Sequence, residues 1–214
     1  MLFSLLKRAL FIAGAGMLGY AIFTIAQSHI MQRYETLQFD RTLALPANHR
    51  TEHVVPGDPI GKLTIPSTGI SAIVLEGTDS GTLKMAPGHI PGTALPGEAG
   101  NIAIAGHRDT FFRNLERIRS GDTVRLTTLR GTYHYRVDAT EVVDPARTDV
   151  LESSGSPTFT LVTCYPFHWI GPAPKRFIVR GHLIRAHTAG SRACAERSGG
   201  ADGVVSSAEM LHWN

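Results

Sequence analysis

The stretch TFTLVTCYPF, Thr158 to Phe167, decides how this chain is read. Its first residues alternate, with Phe159, Leu161 and Thr163 on one side and Thr160, Val162 and Cys164 on the other. β-Branched and aromatic residues at period two predict a strand. The strand is expected to end at Cys164, because the following segment, YPFHWIGPAPK, holds three prolines and a glycine and cannot continue a ladder. A second strand, RFIVRGHLIR, resumes at Arg176. The pattern therefore sets a thiol at a strand end, in front of a long irregular loop, where a ligand can reach it. Burial as an inert small hydrophobe is the commoner fate of a free cysteine. The strand alone leaves both readings open.

Outward from that strand, the chain of 214 residues is 43% hydrophobic and 18% charged, which suits one globular domain with appendages. A net charge of +3 without a dense Lys/Arg run argues against nucleic acid as a partner. Two cysteines, Cys164 and Cys194, are too few for a disulfide framework and lack C-x-x-C spacing.

At the amino terminus, Ala9–Ala26 carries no charge over 18 residues, a helix of about 27 Å and long enough to cross a bilayer core. Lys7 and Arg8 precede it and mark the cytoplasmic side, so the remainder is expected outside. A cleaved signal peptide is the competing reading, but its apolar core is usually about 7–15 residues. The expected organisation is a cytoplasmic 1–8, a transmembrane anchor 9–26, an extracytoplasmic stalk 27–58, a folded domain 59–186 and a disordered tail 187–214. Within the stalk, Ile30–Leu43 could form a short helix. The tail is rich in Ser, Gly and Ala with no period able to bury a face.

Inside the domain, strands are expected at Gly61–Pro66, Ser71–Glu76 and Asn101–Ala105, with LPGEAG (Leu95–Gly100) as a turn-rich stretch. Thr110 is read as the cap of a helix whose apolar face is Phe111, Leu115 and Ile118. Thr123–Leu129 and Thr132–Val143 flank Arg130-Gly131 as a hairpin, with Val124, Leu126, Tyr133, Tyr135 and Val137 facing inward. Asp149–Ser154 reads as a helical turn. Many short strands and few helices predict a mostly-β barrel or sandwich.

A thiol with pKa near 8.5 is only a few per cent thiolate at neutral pH, so a working nucleophile needs an imidazole or a cation beside it. Of ten histidines, His29, His49 and His53 fall in the stalk and His187 and His212 in the tail. His134 and His182 fall on strands in polar contexts. His89 and His168 are candidate contacts, and His107 is the best, since it follows strand NIAIA at a glycine. Arg176 opens the strand beyond the Cys164 loop and offers a rigid fork of donors for a peptide carbonyl or an oxyanion. Spacing alone does not overturn the default of a surface histidine and a strand-edge charge.

Three motifs change that balance. TLVTC at Thr160–Cys164, AGHRDTFFRNL at Ala105–Leu115 and APKRFIV at Ala173–Val179 together resemble the sortases, cysteine transpeptidases of the bacterial cell surface, and most resemble class D. The resemblance runs from about Gly61 to Ile184 with motifs in order. It implies a closed eight-stranded β-barrel with short helices, and His107, Cys164 and Arg176 as the catalytic set around one groove. Thr163 and His168 are expected substrate contacts. The implied substrates are proteins with a C-terminal LPxTG-like sorting signal, together with an amine nucleophile from a peptidoglycan precursor or a protein lysine. The implied address is the bacterial cytoplasmic membrane, single-pass, with the catalytic domain outside. No cofactor or metal is implied.

Other readings fit less well. L,D-transpeptidases carry Ser-x-Gly-Cys close to their histidine, a motif missing from this sequence. A metal site from Cys164, His168, His182 and His187 lacks the close cysteine pairs of zinc sites. A non-catalytic, membrane-tethered β-barrel that binds peptide is the alternative, and a covalent acyl adduct separates it from an enzyme.

Overall fold

The computed structural model describes residues 6–8, 10–20, 22–23, 55–153 and 155–188. Eight strands form a closed barrel: β1 (Pro59–Ile65), β2 (Ile70–Glu76), β3 (Gly88–His89), β4 (Asn101–Ala105), β5 (Thr123–Thr128), β6 (Gly131–Val143), β7 (Thr158–Tyr165) and β8 (Lys175–Thr188). Their order around the barrel is β1-β2-β3-β4-β7-β8-β6-β5. The pairs β2/β3 and β4/β7 are parallel and the others antiparallel. Closure leaves no edge strand to template aggregation.

Alternation in sequence becomes a filled interior. Leu63, Ile65, Val74, Ile102, Ile104, Val124, Leu126, Tyr135, Phe159, Leu161 and Val179 are buried together. Each fully buried side chain of this size contributes about 1.5–3 kcal/mol. The expected inward set of the hairpin is buried throughout. Tyr135 meets Phe159 edge-on at 5.5 Å between ring centroids, a favoured arrangement for ring quadrupoles. The turn-rich LPGEAG stretch is riveted to the barrel, because the Gly97 N–H donates to Tyr135 Oη at 3.0 Å. Gly97 has φ +87°, and a Cβ there would lie 2.0 Å from the Tyr133 ring, so only glycine fits.

A second buried cluster lies on the other face of the β4-β7-β8 wall: Leu83, Ile90, Ala103, Ala105, Val143, Val150, Val162 and Ile178. The short helix Ser80–Met85, capped by Asp79, adds Leu83 to it. β7 is consequently packed on both faces.

Several expectations change. The helix expected after Thr110 is a 3-10 segment, Arg113–Arg117, preceded by Phe112 and without a side-chain cap. Phe112, Leu115 and Ile118 are the buried residues there, since i, i+3 spacing eclipses in a 3-10 turn. The helical turn near Asp149 covers Asp149–Leu151. β7 runs one residue past Cys164, to Tyr165, and the Tyr165–Pro166 peptide is cis. β8 begins at Lys175 and continues to Thr188, where His187 and Thr188 pair with Thr132 and Gly131. The expected tail boundary therefore moves outward by two residues, because a long β6 supplies a partner for both. Residues 10–20 are helical and expose their apolar side chains. Among the described residues, no helix is long and apolar enough to cross a membrane. The helix expected at Ile30–Leu43, the stalk up to residue 54 and the tail with Cys194 lie outside the described residues.

Candidate active site

Register brings the expected residues together. Across β7 and β8, Cys164 pairs directly with Arg176, which puts their side chains on one face with Cα atoms about 4.5–5.5 Å apart. On the other side, β4 runs parallel to β7 with Ala105 beside Val162. The Gly106 N–H still donates to the Val162 carbonyl at 3.1 Å. Two residues past the last pair, His107 lines the same cleft as Cys164. The pair Cys164–Arg176 thus follows the row Ala105–Val162–Ile178 on the same outer face of the wall. The site is the polar end of the second hydrophobic cluster.

Local packing fixes each of these residues. Gly106 is in contact with Phe112; a Cβ there would lie 2.8 Å from its ring. The Phe112 N–H donates to the His107 carbonyl at 3.0 Å. Thr163 is fully enclosed on the opposite face of β7, and its hydroxyl donates to the Gly106 carbonyl at 2.7 Å. These contacts hold the turn carrying His107 against β7. Arg176 is buried and its Nη1 donates to the carbonyls of Ala173 and Lys175 at 3.2 and 3.1 Å.

His107 and Cys164 line a cleft of about 300 Å³ together with Lys84, Arg108, Asp109, Thr110, Gly171 and Ala173. Arg108 bridges its two sides. It follows His107 in the chain, and its Nη2 donates across the cleft to the carbonyls of Trp169 and Gly171 at 2.9 and 3.0 Å. Its Nη1 is covered and makes no hydrogen bond among the described residues. Lys84 arrives because the residue before it, Leu83, is embedded in the outer cluster.

Thr163, His168 and the buried Arg176 are not among the residues lining this cleft. His168 is exposed on the β7–β8 loop and faces Glu116 at 3.2 Å. His89, read as a candidate contact, turns into the wall. It is buried, with Nδ1 2.6 Å from Glu76 and Nε2 near Ala94 and Thr93. His182 lies outside on β8 against Asp138. Among the described residues no cluster of three His, Cys, Asp or Glu side chains is arranged to hold a metal ion.

Electrostatics favours the neutral pair. Burial pushes the Cys164 thiol up; Arg176 and then Arg108 pull it down, and Asp109 adds a smaller rise. Burial lowers the His107 imidazole, Asp109 opposes this, and Lys84 adds to it. Ordinary values of about 8.5 and 6.5 would give thiolate with imidazolium in about one per cent of molecules. Here both shifts move apart, so that ion pair is rarer still at rest.

Sequence reasoning did not single out Arg108, Asp109 or Lys84. Arg108 and Asp109 were visible as direct neighbours of His107. Lys84 carries no local signal, because its place depends on where Leu83 packs.

A Sortase domain profile matches residues 63–184. Sortase D of Bacillus subtilis (strain 168) is 36% identical over 129 residues, covering 60% of this chain and 65% of that protein. Sortase A of Bacillus anthracis is 28% identical over 129 residues, covering 58% and 60%. The chain thus spans a little under two thirds of the length of these relatives. Among solved structures, a Clostridium perfringens Sortase D5 transpeptidase is similar with TM-score 0.66 and 30% identity, over 72% of this chain and 99% of that one. Sortase E from Streptomyces avermitilis is similar with TM-score 0.56 and 30% identity, over 63% and 93%.

Proposed function

This chain belongs to the sortase family, and from that premise we propose that it is a membrane-anchored cysteine transpeptidase acting on LPxTG-like sorting signals. The observation that supports this best is that His107 and Cys164 line one cleft while Arg176 pairs with Cys164 across β7 and β8. Cys164 Sγ attacks the carbonyl carbon of the signal's threonine and forms a tetrahedral oxyanion. Collapse breaks the peptide bond, His107 gives a proton to the leaving amine, and a thioester remains. An incoming amine attacks that thioester, His107 takes its proton, and the thiolate leaves as the new amide forms. Arg176 holds the substrate backbone and the oxyanion with donors fixed in place.

The shifts at Cys164 and His107 suit this cycle. The resting pair is neutral and tolerates burial, and charge develops only during reaction. Thr163 acts on substrate binding through Gly106, which it holds in place beside His107. His168, at the outer edge of the β7–β8 loop, meets the parts of the polypeptide substrate that extend beyond the cleft.

The uncharged run Ala9–Ala26 after Lys7 and Arg8 supports a single-pass anchor with the barrel outside the cytoplasm. The apolar side chains exposed around residues 10–20 fit a lipid environment. Protease added to intact spheroplasts should digest the barrel.

The activity is tested by mass spectrometry of the full chain in detergent after mixing with a panel of LPxTG-like peptides. An adduct on Cys164 with the mass of the acyl fragment is expected, and none in Cys164→Ala. Peptide bound without an adduct would instead identify a non-catalytic binder.

A further inference from the structure

A transpeptidase must bind two substrates, and the charges around Cys164 bear on the second. The cleft holds two exposed or half-buried cations, Lys84 and Arg108, against one carboxylate, Asp109. Arg176 adds a further cation beside the thiol. At rest His107 adds no charge. A thioester formed here therefore sits in a positive field, which Cys164 itself registers through Arg176 and Arg108.

That field discriminates among amines. An attacking amine must be neutral, and neighbouring cations favour its uncharged form. The same cations repel an acceptor that carries only positive charge. They attract one whose amine is joined to an acidic group.

Arg108 supplies the geometric argument. A guanidinium carries five N–H donors in a fixed fork. Nη2 is spent on the carbonyls of Trp169 and Gly171, whereas Nη1 is covered and makes no hydrogen bond among the described residues. An unpartnered buried donor is costly, and rare enough to call for an explanation. Asp109 lines the same cleft but does not supply the missing acceptor. A carboxylate is the strong acceptor for a guanidinium N–H left without one. Lys84 is exposed at the same cleft and supplies the second charge.

We propose that Lys84 and Arg108 form a carboxylate-binding subsite in this cleft, and that the acceptor resolving the acyl-enzyme is an amine that bears a carboxylate. The inference rests on the transpeptidase reading above and names the second substrate's chemical class.

The test uses the full chain in detergent, acylated by a sorting-signal peptide, with two matched acceptor pairs: triglycine against triglycinamide, and Nα-acetyl-lysine against Nα-acetyl-lysinamide. Within each pair the reacting amine is closely similar, and only the distant carboxylate changes. The carboxylate form should give a kcat/KM for aminolysis about tenfold higher, the effect of one charge-assisted hydrogen bond. Each of Arg108→Gln and Lys84→Gln should shrink that ratio toward one. Lys84 is on the surface, so its variant reports even if Arg108→Gln fails to fold. Equal rates within both pairs in the wild type would overturn the subsite, as would a preference unchanged in Lys84→Gln and in any folded Arg108→Gln. An acyl adduct on Cys164 shows in the same experiment that the first step is intact. Its absence would instead bring down the transpeptidase reading, and the subsite with it.

Discussion

β7 and β6 alternate equally well in sequence, yet they live in different surroundings. β7 is buried at six consecutive positions, Phe159 through Cys164. β6 buries Tyr133, Tyr135 and Val137 but leaves Arg136, Asp138, Ala139 and Thr140 exposed. The difference is a second cover. The short helix with Leu83, and Ile90, Val143 and Val150, lie over the outer face of the β4-β7-β8 wall, while much of β6's outer face meets solvent. Alternation marks a strand; it does not say whether one face or two will be buried. In this barrel the wall packed on both sides is the one that carries Cys164 at its end.

The sharpest test of that contrast is at the end of the wall. Cys164→Ala should abolish acyl-enzyme formation, and His107→Ala should be almost as damaging, because the leaving amine then lacks a proton donor. Circular dichroism should show both variants folded, since each side chain lies at the end of the wall. Transfer activity surviving in Cys164→Ala would move the chemistry elsewhere.

Arg176→Ala should lower turnover by about two to three orders of magnitude, the scale of one oxyanion-type donor. Arg176→Lys should recover little, because an ammonium cannot reproduce the fork. The pH profile carries the electrostatic part. The competent form is thiolate with imidazolium, so rate rises with pH up to the His107 value and falls above the Cys164 value. With the imidazole lowered from 6.5 and the thiol raised from 9.0, the profile should be a broad plateau with its limbs outside those two values. The apparent values belong to the coupled pair. Removing Arg176, the strongest charge pulling the thiol down, should move the alkaline limb higher still. A limb that stays in place would separate Arg176 from the thiol.

A matched pair of substitutions measures the two walls directly. Val162 on β7 and Arg136 on β6 both face outward, but Val162 is fully buried and Arg136 is exposed. Val162→Ala should cost about 1.5–3 kcal/mol, from lost transfer energy plus a cavity. Arg136→Ala should stay within about 0.5 kcal/mol. Denaturant midpoints at equal m-value decide it, and equal costs would mean the outer cover contributes nothing.

The smallest expected effect sharpens the picture most. Thr163→Val removes one hydroxyl from the inner face of β7 and leaves the Gly106 carbonyl without that donor. Stability should fall by about 1–2 kcal/mol. Turnover should fall by about tenfold, short of the hundredfold that a 1 Å misplacement can cost. Unchanged turnover would confine Thr163 to the fold.

Much of this was legible beforehand, for physical reasons that differ by residue. β7 and the β5–β6 hairpin follow from period-two patterning, and Cys164 and Arg176 from their places at the two ends of one loop. His107 followed from a glycine at a strand end. What the sequence withheld depends on partners distant in the chain. His89 looks like His107, since each follows a glycine, yet Glu76 on the neighbouring β2 draws it into the wall. The segment after Thr110 has helical spacing, but Phe112 packs on Gly106 and a tight 3-10 turn results. The last two residues of β8 are strand because Gly131 and Thr132 lie opposite them, which no local pattern announces.

The loop between β7 and β8 is held in an unusual way. Arg108 takes the carbonyls of Trp169 and Gly171, and Arg176 takes those of Ala173 and Lys175. Four alternate peptide groups are thus gripped by two arginines, and each of these four grips is on backbone. Those four bonds do not depend on what the loop's side chains are, although Phe167 and His168 add contacts of their own. Ile170, almost fully exposed, and Trp169, half exposed, can be exchanged without touching those four bonds. The loop therefore behaves as an interchangeable faceplate: its identity can be rewritten to suit a different polypeptide while the two arginines keep it in register with the thiol.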